Sequence, residues 1–520
     1  MTTLGAKAMG GIAAAAVAVG IAQLTAAAFG PQADVRTAVG SSAIELTPGP
    51  VKEWAISTFG TADKLFLTVM VLVVIALIAA LAGIAETRRR PIGSAAIVVA
   101  GAIGCAAVLS RAGATVVDIV PTLIGTVCGV AALRLLTSDR FRVDSKTGVQ
   151  KTDISKSEAA DAADTDRGRR LSLVTLGLLG VGVASGVLGV VISRLTSSVS
   201  GDRQSFALPK AKRAAPPIPP SVQPAGVDLP SFVTANDDFY RIDTALSVPQ
   251  LSRTDWQLRI HGLVDREVTY RWADLERFEL VEQVVTLTCV SNPVGGELIS
   301  NAVWTGYRVR DLLADAGVKP ESDMVLSTSV DGWTAGTPIE ALTAEDAILA
   351  VGMNGQPLPV EHGYPARLVV PGLYGYVSAT KWVVDLNMTR FDRAEAYWTR
   401  LGWSARGPIK TESRIDVPRS GADVALGPVT FGGVAWAQHR GIRAVEVQID
   451  DGQWQQATLG DSYSDDTWRL WSFPWEAKDT GFHKITVRAT DNDGYTQTPD
   501  RADPVPDGAT GWHSITFAVR

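Results

Sequence analysis

Cys289 closes the run Val284-Val285-Thr286-Leu287-Thr288 and precedes Val290 and the turn Ser291-Asn292-Pro293-Val294-Gly295-Gly296. The other two cysteines, Cys105 and Cys128, lie inside apolar stretches far upstream, so Cys289 has no thiol in its own domain to pair with. A lone thiol in a strand is ordinarily a small, inert core residue. At a strand-to-turn junction crowded with backbone amides it can also be a metal ligand or a nucleophile, because the thiolate serves both. His362, in Glu361-His362-Gly363, and Arg367 read, each taken alone, as a turn residue and a surface charge. His261, His439, His483 and His513 are scattered, none at metal-ligand spacing, and read as structural.

The chain of 520 residues is long enough for several domains, and its net charge of -6 gives no reason to expect nucleic-acid binding. Apolar runs concentrate in the first two hundred residues. Five approach the length of a bilayer crossing, at roughly 9–29, 65–85, 92–110, 114–136 and 171–194. Arg88, Arg89 and Arg90, and the basic loop holding Arg140, Arg142, Lys146, Lys151, Lys156, Arg167, Arg169 and Arg170, belong on the cytoplasmic side. That places the N-terminus inside and everything after the fifth span outside. The first span reads as an anchor, with a cleaved signal peptide as the alternative. Arg169-Arg170 reads either as flanking charge or as an internal twin-arginine export signal. Asp118 is the one acidic residue within these spans that could serve a proton relay, or it could face the hairpin interface.

Residues 1–200 are thus expected as an all-α membrane domain. Residues 201–235, with Ala214-Ala215-Pro216-Pro217-Ile218-Pro219-Pro220, are expected as a linker. From 236 to 404, short β-branched runs and short helices (Tyr270–Phe278, Arg308–Ala316) predict an α+β domain. Beyond 405 only period-two strands and Asp-Gly turns remain, as in Val445–Asp450, Lys484–Ala489 and His513–Val519, which predicts a β-sandwich.

Several of these motifs fall together in an order that carries a resemblance. They are Thr286-Leu287-Thr288-Cys289-Val290-Ser291-Asn292, Trp304-Thr305-Gly306-Tyr307, Glu361-His362-Gly363-Tyr364-Pro365-Ala366-Arg367, and Pro371-Gly372-Leu373-Tyr374-Gly375 with Lys381-Trp382. From about residue 228 onward the chain resembles the sulfite oxidase superfamily of molybdopterin enzymes, especially its actinobacterial membrane-anchored members. The resemblance implies a molybdenum–molybdopterin cofactor with Cys289 as the thiolate ligand, and an immunoglobulin-like C-terminal sandwich that carries a homodimer. It places Cys289 and Arg241 at the reacting centre. Asn236, Tyr240, Arg241, Asp331, His362, Arg367, Ala379, Thr380 and Lys381 match cofactor-contacting positions.

One departure bears on substrate. Sulfite-oxidising members carry basic residues just after the cysteine turn, whereas Pro293, Val294 and Gly295 stand here. The expected activity is therefore two-electron oxygen-atom transfer on a small substrate, sulfite-like or an S-oxide or N-oxide. No histidine precedes residue 261, so the membrane helices cannot supply a bis-histidine haem, and electrons must pass to or from a separate redox partner. A non-catalytic binding protein on the same fold is the competing reading, but it leaves Cys289 without a chemical purpose.

Overall fold

The computed structural model describes residues 3–47, 51, 63–87, 89–111, 114–138, 154–245 and 247–520. Residues 139–153, with Arg140, Arg142, Lys146 and Lys151 of the expected basic loop, and Arg88 lie outside them. The chain divides into two compact units, one of residues 1–198 with 245–247 and one of 199–244 with 248–520.

The first unit is helical. Its helices are Thr3–Ala26, Val35–Leu46, Asp63–Ala85, Ile92–Leu109, Val120–Leu136 and Ile154–Ser197. Among the described residues, five helices are long and apolar enough to cross a membrane. Leu77, Leu81, Ile103, Val127 and Leu173 point outward, more than half exposed, as expected where the surrounding solvent is apolar. Inside, small residues bring backbones together: a Cβ on Gly11 would run into the Ala79 carbonyl. The short helix Val35–Leu46 has no counterpart among the expected spans. Its start is fixed by Asp34, whose Oδ1 accepts the Arg36 and Thr37 N–H groups at 2.9 and 3.2 Å. Asp118 likewise caps a helical turn, accepting the Thr115 N–H and hydroxyl at 2.7 and 2.8 Å. Local capping accounts for that carboxylate.

The second unit holds four sheets. One is mixed and five-stranded, in the order Val268–Arg271, Gln257–Gly262, Val383–Thr389, Met324–Ser329, Thr334–Pro338. The other sheet of this α/β portion runs Leu280–Thr288, Ile299–Arg308, Ile348–Met353, Gln356–Pro357, and Arg367–Val369 pairs with Ile348–Met353. Leu280–Thr288 is buried along nearly its whole length, which explains a continuous apolar run rather than an alternating one. Beyond residue 411 the chain is β-rich. One sheet contains Glu412–Val417, Gly427–Trp436 and Arg469–Ala477; another contains Ile442–Ile449, Gly481–Asp491 and His513–Val519. Phe431 and Trp471 of the former share a core with Val445, Val487 and Phe517 of the latter.

Residues 206–235 lie along this unit. Lys212 donates to Leu280 O at 2.9 Å, the Tyr463 hydroxyl to Pro216 O at 2.7 Å, and the Trp468 indole to Phe232 O at 3.0 Å. A proline-rich stretch cannot donate many of its own amides, so neighbouring side chains and strand edges fasten it.

Candidate active site

Strand Leu280–Thr288 ends one residue before Cys289, whose N–H reaches Leu298 O at 2.9 Å across the turn. The thiol is buried, and burial pushes its pKa up, with the Ser291 backbone and hydroxyl pulling partly back. Ligation by a cation would reverse that balance and release the proton.

Around it stands an aromatic and cationic wall. Phe239 stacks on Tyr240 at 5.3 Å and meets Trp304 and His362 edge-on at 5.6 and 5.4 Å. Burial first, and then the charge of Cys289, pushes the Tyr240 phenol up, while Arg367 opposes both. Tyr240 thus senses Cys289 and Arg367 together.

Arg367 is 5% exposed and lies over the Trp304 ring at 5.1 Å. Its donors go to carbonyls, those of His362 at 3.2 Å and Ala379 at 3.3 Å, and it has no carboxylate partner among the described residues. Burial brings its pKa down to about 10. His362, held by Asn236 O at 3.2 Å from Nε2, is brought down to about 4 by burial, then by Arg367 and Lys381, and is neutral at pH 7. Lys381 is brought down to about 8, mainly by burial and despite Asp243. Its Nζ lies 3.0 Å from Asp243 Oδ2, the same oxygen that Arg241 Nε meets at 2.9 Å.

The structure therefore brings Tyr240, Arg241, His362, Arg367 and Lys381 around the Cys289 side of the fold. Asn236 joins them as a brace, its side chain accepting from Asn354 at 2.9 Å. Ala379 contributes its carbonyl to Arg367. Thr380 turns inward, its hydroxyl 2.7 Å from that of Ser327. Asp331 accepts the Trp333 N–H at 3.2 Å within a hairpin turn, which abuts the Lys381 segment through Val330 N–H to Trp382 O at 3.0 Å.

Two groups escaped sequence reasoning. Asp243 is a buried counter-ion whose only sequence signal is its position two residues after Arg241. His439, read as structural, meets Asp466 Oδ1 at 2.9 Å and Asp346 Oδ2 at 3.7 Å, and Asp466 raises its pKa. The three residues, far apart in the chain, offer ligand atoms within 4.8 Å of one another.

A buried thiol and a buried guanidinium that both act on Tyr240, the guanidinium without a carboxylate partner among the described residues, together with Arg241 and Lys381 sharing one carboxylate, make a site with excess positive charge. Such a site suits an anion with phosphate oxygens and a soft metal bound by sulfur. The family model and the sequence relatives agree. A family model described as an oxidoreductase molybdopterin binding domain matches residues 245–398. The uncharacterized oxidoreductase YuiH of Bacillus subtilis (strain 168) is 36% identical over 154 residues, 30% of this chain and 75% of that protein. Mitochondrial sulfite oxidase of Homo sapiens is 30% identical over 343 residues, 56% of this chain and 62% of that protein. The sulfane dehydrogenase SoxCD of Paracoccus pantotrophus is 26% identical, with a TM-score of 0.47 over 52% of this chain and 75% of that one. The chain belongs to the sulfite oxidase family of molybdopterin oxidoreductases. Membership implies a molybdenum–molybdopterin cofactor, and the residues in place fit it.

Proposed function

We propose that this chain is a membrane-anchored oxidoreductase, its second unit outside the cytoplasm, that moves an oxygen atom to or from a small substrate in a two-electron reaction. The cofactor supplies the metal at which the oxygen atom and the two electrons are exchanged. The chain's part is to hold it, orient it and set its electrostatics. Cys289 gives its thiolate to the metal. Arg367 and Lys381 meet the phosphate oxygens, with neutral His362 and the Thr380 N–H completing the cradle and the Ala379 carbonyl aiming Arg367. Arg241, 40% exposed, stands on the side open to solvent and is the cation available to a substrate.

The observation that carries this reading is Arg367, a buried cation to which the described residues offer carbonyls and the Trp304 face but no carboxylate. Burying such a charge unpaired is unfavourable by several kcal/mol, so the site makes sense with an anion in it. For the substrate, the turn 293–295 has no basic side chain, and Arg414 beside it is already paired with Asp416 at 2.6 Å. That favours an S-oxide or N-oxide over sulfite. A separate redox partner, and a homodimer through an immunoglobulin-like C-terminal portion, complete the proposal.

The test is molybdenum content of the detergent-purified chain, by elemental mass spectrometry, beside Cys289→Ser. About one metal per chain, with altered spectrum or occupancy in the variant, supports the reading. No molybdenum from a host competent to make the cofactor sinks it.

A further inference from the structure

The turn after Cys289 has few bonds of its own. Asn292 N–H reaches Cys289 O at 3.1 Å, Gly296 N–H reaches Pro293 O at 2.8 Å, and Asn292 Oδ1 accepts the Leu298 N–H at 2.9 Å. Its other side is closed by the β-rich C-terminal portion, chiefly by one strand. Along Glu412–Val417 alternate residues take opposite faces. Ser413 bonds Gln497 and Ile415 enters the shared sheet core, whereas Arg414 turns to the cysteine turn.

Arg414 Nη1 donates to Gly296 O at 2.7 Å, and its Nε donates to Asp416 Oδ1 at 2.6 Å. Both side chains are largely buried. His513, from strand His513–Val519, fills the space where a Cβ on Gly295 would stand, and Gly295 has φ +80°. Only glycine fits there without strain or collision. The ring's Nδ1 accepts the Ile415 N–H at 3.0 Å, which requires a neutral imidazole. Burial, then Arg414 and Arg501, keep it so by bringing its pKa down to about 4.

The bland alternative is that Arg414 simply docks two portions of the unit. Apolar contacts already do that: Val290, Ile299, Trp436 and Trp468 share one core. Adding a buried ion pair brings little net stability, but it fixes geometry, here at a carbonyl seven residues beyond Cys289.

We propose that Arg414, aimed by Asp416, is a positioning residue that holds the turn 291–296 and so sets the direction of the Cys289 thiol. The proposal rests on the reading of Cys289 as the metal's ligand, but its primary test does not. The full-length protein in detergent, made without cofactor, is treated with iodoacetamide, and alkylation of the Cys289 peptide is timed by mass spectrometry. Arg414→Met is expected to speed alkylation at least about tenfold by letting the turn open, while Arg414→Lys, which keeps a donor, stays within about threefold. In cofactor-loaded protein, Arg414→Met should also shift the metal's paramagnetic resonance spectrum. A folded Arg414→Met with alkylation within about twofold of wild type overturns the proposal. If Arg414→Met does not fold, Asp416→Asn, which leaves the guanidinium but releases its aim, is read by the same criterion. Wild-type protein that takes up no molybdenum would defeat the functional reading and leave the alkylation result to decide on Arg414.

Discussion

The guanidinium of Arg367 lies over the indole of Trp304, 5.1 Å from the ring centroid, and reaches the carbonyls of His362, Leu368 and Ala379. The aromatic face and carbonyl dipoles stabilise the cation partially, and the rest of its desolvation is left uncompensated. Arg367→Met should therefore do two opposite things. Cofactor-free protein should gain about 1–3 kcal/mol in stability by denaturant unfolding. Molybdenum retained after dialysis should fall by at least about tenfold, because a charge-assisted hydrogen bond to phosphate is lost.

Lys381 gives a pH signature for the same site. Its pKa of about 8 is depressed, so raising the pH through that value removes a cation from the cradle. Affinity for a phosphate-bearing ligand should fall as pH rises above about 8, with the midpoint moved upward once the anion is bound. Lys381→Met should remove that dependence and weaken binding by about 1.5–3 kcal/mol. Calorimetric titration of cofactor-free protein at several pH values measures both.

Glu412 makes a prediction about folding rather than binding. It is 4% exposed, its Oε1 lacks a hydrogen-bond partner, and burial pushes its pKa up to about 8 from 4.5. Between those values the folded protein holds a proton that the unfolded chain has released, so stability falls as pH rises from about 4.5 to about 8. The slope from this residue alone is about 1.4 kcal/mol per pH unit at most. Glu412→Gln should flatten the dependence across that window in denaturant titrations, and a variant as steep as wild type would assign it elsewhere.

At the start of the second unit, Asp202 binds Arg253 through Nη2 at 2.8 Å and accepts the Tyr364 hydroxyl at 2.7 Å. Burial opposes its charge, yet these bonds hold its carboxyl below the usual range. Asp202→Ala should release helix Ser200–Ser205 from this unit, exposing it to limited proteolysis at neutral pH. Equal cleavage rates in wild type and variant would show that the ion pair is not what holds it.

The sequence by itself determined much that depends on local pattern. Apolar length marked the five described helices that could cross a membrane, because that capacity is a matter of consecutive residues. The run ending at Cys289 and the segments carrying His362, Arg367 and Lys381 read as pieces of one site only through the order of motifs that resembles the family, since each taken alone is a strand, a turn or a surface charge. The capped helix Val35–Leu46 was not legible, since its start depends on one side chain, Asp34, closing two amides. Only the tertiary structure decided which charges meet. Asp243 takes Arg241 and Lys381 on one oxygen, Arg414 reaches Gly296 from another sheet, and Arg367 has no carboxylate partner among the described residues. Ion pairing and burial depend on distance in space, and residues more than a hundred positions apart carry no mark in the chain of having been brought within 3 Å.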